Sequence, residues 1–84
     1  MTINISATQV LDTSGEYCPM PVVKAKLAID KLAAGAVLKV IATDPGSQSD
    51  FPGWANSTGN KLLEASEEDG KFVFFFEKAE GGGP

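Results

Sequence analysis

The single cysteine of this 84-residue chain lies in the tetrapeptide Cys18-Pro19-Met20-Pro21. Proline is favoured in the first turn of a helix, because the N–H it lacks would have no intrahelical partner there. Residues 22–34 have a helical pattern and precede a glycine. The spacing therefore predicts a helix from about Pro19 to Ala34, with Cys18 at its N-terminal cap.

A cysteine in that position is suited to nucleophilic chemistry. The helix dipole and the free N–H groups of Met20 and Val22 would favour an anion, which lowers the pKa of a thiol. A lone cysteine can also be a small buried hydrophobic residue. Cys18 follows a predicted strand-to-helix turn and not an apolar run, and this context favours the reactive interpretation.

The composition excludes several other chemistries. The chain has no histidine, so it cannot form a Ser–His or Cys–His pair, and one cysteine without histidine cannot build a zinc or iron–sulfur site alone. We expect neither a metal nor another cofactor. The net charge of −4 argues against direct binding to nucleic acid and suits an interaction with a basic patch on another protein.

The length and the apolar pattern predict one small domain over residues 1–84, with a core at about 9–78 and a flexible tail at 79–84. Met1–Ala7 lacks the basic and apolar regions of a signal peptide, and the longest apolar runs are too short to span a membrane. A single free cysteine fits a reducing compartment, so we expect a cytoplasmic protein with no membrane association.

The elements that position Cys18 are predicted in the order β-α-β-α-β-β. A parallel strand–helix–strand unit is followed by a second helix, with Asp50 as a candidate cap, and by an antiparallel hairpin around Asp69-Gly70. The fold class is α+β: a two-layer α/β sandwich in which a mixed four-stranded sheet carries both helices on one face. The predicted strands and second helix are Gln9–Asp12, Val37–Thr43, Ser47–Thr58, Lys61–Glu67 and Phe72–Lys78.

Two surfaces are predicted to lie outside the core. Helical spacing turns Val22, Ala25, Ile29 and Leu32 toward the sheet, which leaves a stripe of Met20, Val23 and Leu27 exposed beside Cys18. This stripe is either a partner-docking surface or a set of ordinary surface apolar residues. The sheet face with Val37, Ile41, Val73 and Phe75 has no predicted helix over it, and it is either solvated or an interface.

The motifs resemble those of the TusA (SirA-like) sulfurtransferase family. The resemblance starts at Leu11-Asp12, continues through Gly15 and the Cys-Pro-x-Pro element, and includes a second block with Asp44-Pro45 and Asp50-Phe51-Pro52-Gly53-Trp54. It extends from about Gln9 to Lys78. It implies the two-layer topology described above and maps Cys18 onto the family's carrier cysteine, with Pro19 and Pro21 at its helix start.

The resemblance implies a sulfur carrier that holds sulfane sulfur on Cys18 as a persulfide. Members of this family receive sulfur from a donor such as a cysteine desulfurase or a rhodanese, and they pass it to an acceptor protein, often of the DsrE type. The implied pathways are tRNA thiolation, molybdenum cofactor assembly and dissimilatory sulfur oxidation. This chain differs from many members because Tyr17 stands where they have arginine, so the helix start would have to activate the thiol largely alone.

Two other functions fit parts of the sequence. Gly81-Gly82-Gly83 suggests a ubiquitin-like thiocarboxylate carrier, but Pro84 follows and the order of elements is wrong for that fold. The remaining alternative is a non-catalytic regulatory or interaction module in which Cys18 is only a helix-cap residue.

Overall fold

The computed structural model describes residues 7–17 and 20–79. Cys18 and Pro19 lie outside the described residues, as do positions 1–6 and most of the predicted tail, residues 80–84. Within the described residues, no helix combines the length and the apolar character needed to cross a membrane. The elements are β1 (Gln9–Thr13), α1 (Met20–Asp30), β2 (Val37–Ala42), α2 (Ser47–Thr58), β3 (Lys61–Glu68) and β4 (Lys71–Glu77).

The four strands form one mixed sheet in the order β1-β2-β4-β3. β1 runs parallel to β2, with Leu11 opposite Val40, whereas β4 is antiparallel to both β2 and β3. The β3–β4 turn has positive φ at both Asp69 (51°) and Gly70 (77°), as a two-residue hairpin with the strands' natural twist requires. The predicted fold class is confirmed.

The core lies between one face of the sheet and the two helices. Phe51 of α2 contacts Phe74 and Phe76 of β4, with ring centroids 4.9 and 5.4 Å apart, and Trp54 lies edge-on to Phe76 at 5.0 Å. The helical spacing of α1 predicted its buried face correctly: Ala25 and Ile29 are buried, and Val22 and Leu32 pack against the core. The buried core residues are Ala25, Ile29, Leu38, Val40, Ala42, Phe51, Ala55, Phe74 and Phe76.

α1 is shorter than its sequence pattern predicted. It ends at Asp30 and not at Ala34. The chain then tightens into turns, because the Leu32 N–H donates to the Ile29 carbonyl (3.0 Å) and the Ala36 N–H donates to the Ala33 carbonyl (3.0 Å). Apolar spacing continues through Leu32, so the pattern that predicts burial does not mark the residue at which helical hydrogen bonding stops.

α2 begins at Ser47 and ends at Thr58, as predicted, but its cap is not the candidate residue. Asp50 is not the cap but lies in the first turn of a helix that begins at Ser47. The early N–H groups donate to carbonyls just upstream: Ser47 to Asp44 at 2.9 Å and Asp50 to Gly46 at 3.0 Å. A carboxylate in the first turn interacts favourably with the helix dipole without being the cap. The predicted end is correct, since Gly59 is the C-cap with φ of 81°.

The face of the sheet that carries Val73 and Phe75 has no helix over it, as predicted. β4 lies between β2 and β3, so Phe75 is flanked by Lys39 on one side and by Glu64 on the other. The Lys39 ammonium lies 5.8 Å from the centre of the Phe75 ring. Phe75 is therefore only 6% exposed although no helix covers it.

Candidate functional site

The predicted reactive residue, Cys18, lies outside the described residues, as does Pro19. The residues on either side of this pair, Tyr17 and Met20, are described. Tyr17 is 76% exposed. Met20 is the first residue of α1, and its N–H donates to the Tyr17 carbonyl at 2.9 Å. The expectation that the Met20 N–H is free to bind an anion is therefore wrong. Pro21 has no N–H and is buried in the first turn of α1, where a proline costs no helical hydrogen bond.

Hydrogen bonds to β2 hold the turn between β1 and Tyr17. The buried Thr13 hydroxyl donates to the Ile41 carbonyl at 2.6 Å, and the Gly15 N–H donates to the Thr43 hydroxyl at 2.8 Å. Gly15 has φ of 83°, a conformation that costs glycine little and other residues more. Because these bonds join the carboxyl ends of two parallel strands, the segment leading into α1 is anchored to the sheet.

The same edge of the sheet carries the start of α2. Parallel neighbouring strands end at the same edge, and α1 follows β1 while α2 follows β2. The positive ends of both helix dipoles therefore lie at this edge, and they favour negative charge there. The carboxylates of Asp44 and Asp50 lie on either side of Gly46, so a Cβ at that position would be 3.4 and 3.6 Å from their Oδ2 atoms.

An ion pair close to the start of α1 was not found from the sequence. Lys24 Nζ contacts Glu16 Oε2, and both side chains are partly buried. The two residues are eight apart, outside the three- and four-residue spacings that signal pairs within a helix. In the sequence, only the opposite charges of Glu16 and Lys24, which stand on either side of the Cys-Pro-x-Pro element, indicated that they could pair. Lys24 is the lysine nearest to Cys18 in the sequence.

The predicted stripe on α1 is exposed in the structure. We refer to Met20, Val23 and Leu27 as the α1 band; they are 43%, 42% and 57% exposed. Exposed Tyr17 precedes the band in the chain. Large apolar side chains that follow one helix face and remain in water are a candidate interaction surface.

The described residues offer no evident metal centre: among them, no group of three or more histidine, cysteine, aspartate or glutamate side chains is arranged to hold a metal ion. The described groups nearest to the Cys-Pro pair in the chain are the exposed Tyr17, the Glu16–Lys24 ion pair and the start of α1.

Comparison with known proteins agrees with this arrangement. A family model described as "Sulfurtransferase TusA" matches residues 9–78. The chain is 51% identical over 71 residues to the sulfur carrier protein TusA of Allochromatium vinosum, a match that covers 84% of this chain and 93% of the relative. It is 47% identical over 79 residues to a putative sulfur carrier protein of Halobacterium salinarum, with coverage of 93% and 98%.

A solved structure shows the same fold. The crystal structure of a SirA-like protein from Desulfitobacterium hafniense superposes with a TM-score of 0.76 at 30% identity, and covers 86% of this chain and 99% of that protein. The family model extends over most of the chain, from β1 to just beyond β4, and includes the Cys-Pro-x-Pro element. By sequence match and by fold, this chain belongs to the TusA sulfurtransferase family.

Proposed function

We propose that this protein is a sulfur carrier that accepts sulfane sulfur on Cys18 as a persulfide and transfers it to an acceptor protein. The observation that carries this proposal is the identity of about one half to relatives that are named sulfur carriers, over a region containing one cysteine. In this role the protein acts as a sulfurtransferase in a sulfur relay within a reducing cytoplasm.

The transfer requires a thiolate and access to it, but no general base. The Cys18 thiolate attacks the outer sulfur of a donor persulfide, R–S–SH. A new S–S bond forms on Cys18, the donor S–S bond breaks, and the donor leaves as the thiolate R–S⁻, so no external oxidant or reductant is consumed. The thiolate of an acceptor then attacks the outer sulfur of Cys18–S–SH and releases Cys18 as a thiolate.

The neighbouring elements support anionic sulfur in this role. The start of α1 directly follows the Cys-Pro pair, and the start of α2 lies at the same edge of the sheet. Helix N-termini stabilise thiolate and persulfide anions alike, because both carry negative charge on sulfur. The stabilisation from one exposed helix end is modest, on the order of 1 kcal/mol. We therefore expect a mildly acidic thiol.

We further propose that the α1 band docks the sulfur-donor protein, a cysteine desulfurase or a rhodanese, and that a DsrE-type protein is the acceptor. Lys26, which lies beside the band, is already paired with Asp30 at 2.8 Å, and Lys24 is paired with Glu16. Both of these cations are thus neutralised within the chain. A docking contact there depends mainly on apolar burial. The pathway served would be tRNA thiolation, molybdenum cofactor assembly or sulfur oxidation.

Intact-mass spectrometry after incubation with polysulfide tests the loading step. The wild type should gain the mass of one sulfur atom, and reductant should remove it. Cys18→Ser should keep the fold, as monitored by circular dichroism, and gain no sulfur. Equal uptake by Cys18→Ser would overturn the proposal. A folded wild type that takes up no sulfur would favour the interaction module in which Cys18 is only a helix-cap residue.

A further inference from the structure

The ion pair between Glu16 and Lys24 connects the turn before Cys18 to the second turn of α1. The Glu16 and Lys24 side chains are 29% and 42% exposed, so the pair is partly shielded from solvent. Partial burial reduces screening, which makes the charges of such a pair matter more to their neighbours than those of a fully exposed pair.

Chain connectivity keeps Glu16 close to Cys18. The Cα atoms of residues two apart in sequence are separated by no more than about 7 Å. The Lys24 ammonium lies beside the Glu16 carboxylate, which it contacts. A positive charge near a thiol favours its ionisation, and a negative charge opposes it.

We propose that Glu16 and Lys24 set the reactivity of Cys18 through their ion pair. An unpaired Glu16 carboxylate would oppose the thiolate and the persulfide anion, and Lys24 cancels that effect. An unpaired Lys24 ammonium would favour both anions, and the negative charge of Glu16 cancels that effect. Both residues would act on the thiol through their charges and take no part in the covalent step. This inference rests on the proposed function of Cys18.

Other charged groups on neighbouring elements act as a constant background. Asp12 lies at the end of β1 with Lys71 nearby, and Asp44 and Asp50 flank the start of α2. None of them changes in the variants below, so they affect every variant and its control in the same way.

The chain offers a matched control pair on the same helix. Lys26 and Asp30 form an exposed ion pair, and both lie at least eight residues after Cys18. Glu16→Gln and Asp30→Asn each remove one negative charge, whereas Lys24→Gln and Lys26→Gln each remove one positive charge. Comparison within each couple cancels the effect of net charge.

The experiment measures the rate of Cys18 alkylation by iodoacetamide against pH, and sulfur uptake from polysulfide by intact mass. Glu16→Gln should lower the apparent pKa of the thiol by about half a unit, which raises the thiolate fraction below that pKa about threefold. Lys24→Gln should shift the profile in the opposite direction by a similar amount. Lys24→Arg should restore the wild-type profile, and the double variant Glu16→Gln/Lys24→Gln should lie between the two single variants.

The outcomes separate this inference from the proposed function. If Glu16→Gln and Lys24→Gln match Asp30→Asn and Lys26→Gln in their alkylation profiles, the inference is wrong even when the wild type takes up sulfur. If the wild type takes up no sulfur, the proposed function fails, and the alkylation profiles still decide the role of the ion pair. Circular dichroism monitors the fold, and the Glu16→Gln comparison decides alone if Lys24→Gln does not fold.

Discussion

Single side chains determine how the segment that leads into Cys18 is anchored. The Thr13 hydroxyl and the Gly15 amide attach the β1–α1 turn to β2, and Gly15 supplies the positive φ of the turn. These bonds join residues 28 apart in the chain, which no local pattern encodes. Gly15 is part of the motif that precedes Cys18, but nothing in the sequence indicated that the Thr43 hydroxyl receives its amide hydrogen.

Asp12, at the end of β1, makes the fold sensitive to acid. Ser14 holds the pKa of this carboxyl below its usual value. Its amide nitrogen lies 2.9 Å from Oδ1, whereas its hydroxyl has no partner with hydrogen-bond geometry among the described residues. We therefore assign the effect to the amide. Because the pKa is lower in the folded state, ionised Asp12 stabilises the fold above the usual carboxyl pKa of about 4, and this is lost as the pH falls through the lowered pKa.

Urea unfolding at neutral pH and at about pH 2 tests this assignment. Asp12→Asn should unfold at a lower urea concentration than the wild type at neutral pH, and the difference should shrink in acid. Ser14→Ala retains the amide and should keep the wild-type pH dependence. A difference that does not change with pH, or its loss in Ser14→Ala, would contradict the assignment.

Among the elements, α1 connects the core to the candidate site. Ala25 and Ile29 on its inner face are fully buried, whereas Met20, Val23 and Leu27 face solvent. Apolar spacing predicted both faces, because a helix repeats every 3.6 residues. It could not predict the end at Asp30, since that depends on turns between residues 31 and 36.

The docking role of α1 predicts a selective effect of Leu27→Glu. Burying a leucine contributes about 1.5–3 kcal/mol, so a charge there should slow sulfur transfer from a protein donor about tenfold or more. Val10→Glu is the matched control: Val10 is 56% exposed, close to the 57% of Leu27, but lies on β1 outside the α1 band.

The assay follows sulfur transfer from a cysteine desulfurase supplied with cysteine, with polysulfide loading as a reference. Polysulfide is too small to need docking, so both variants should load from it at the wild-type rate. An equal loss of desulfurase transfer in Val10→Glu, or none in Leu27→Glu, would refute the docking role.

At the scale of the whole molecule, Lys78 joins the end of the sheet to the end of α1. The described helix α1 has no basic residue in its last turn. Lys78, just after β4, supplies the cation instead: its Nζ donates to the Ile29 carbonyl at 2.9 Å, and its backbone pairs with Gly35 and Ala36. A cation at a helix C-terminus satisfies exposed carbonyls and complements the dipole.

Lys78→Met should therefore lower the free energy of unfolding by about 1 kcal/mol, because it removes a charged donor from a partly buried carbonyl. Lys31→Met removes the same charge from an exposed position just after α1 and should have little effect. Equal unfolding free energies of the two variants in urea would show that Lys78 does not act as this cap.

The sequence predicted the architecture better than the contacts between distant segments. Periodicity and turn residues such as Asp69-Gly70 are local, and they gave the element order and the buried faces. The end of α1 at Asp30 and the hydrogen bond from the Met20 N–H to the Tyr17 carbonyl depend on the turns next to the helix, which apolar spacing does not predict. The pairs of Lys78 with Ile29 and of Lys24 with Glu16 depend on the folded structure, so neither was predicted.

Discharge of loaded protein tests most directly whether the molecule is a carrier. Wild-type protein carrying one sulfur on Cys18 would be freed of polysulfide, mixed with cyanide as a small acceptor that takes up sulfane sulfur as thiocyanate, and followed by intact mass. If the protein is a carrier, it should return to its unmodified mass while the acceptor gains the sulfur, and the same protein should load again. Sulfur that stays on Cys18, or that is lost without appearing on the acceptor, would contradict the carrier role.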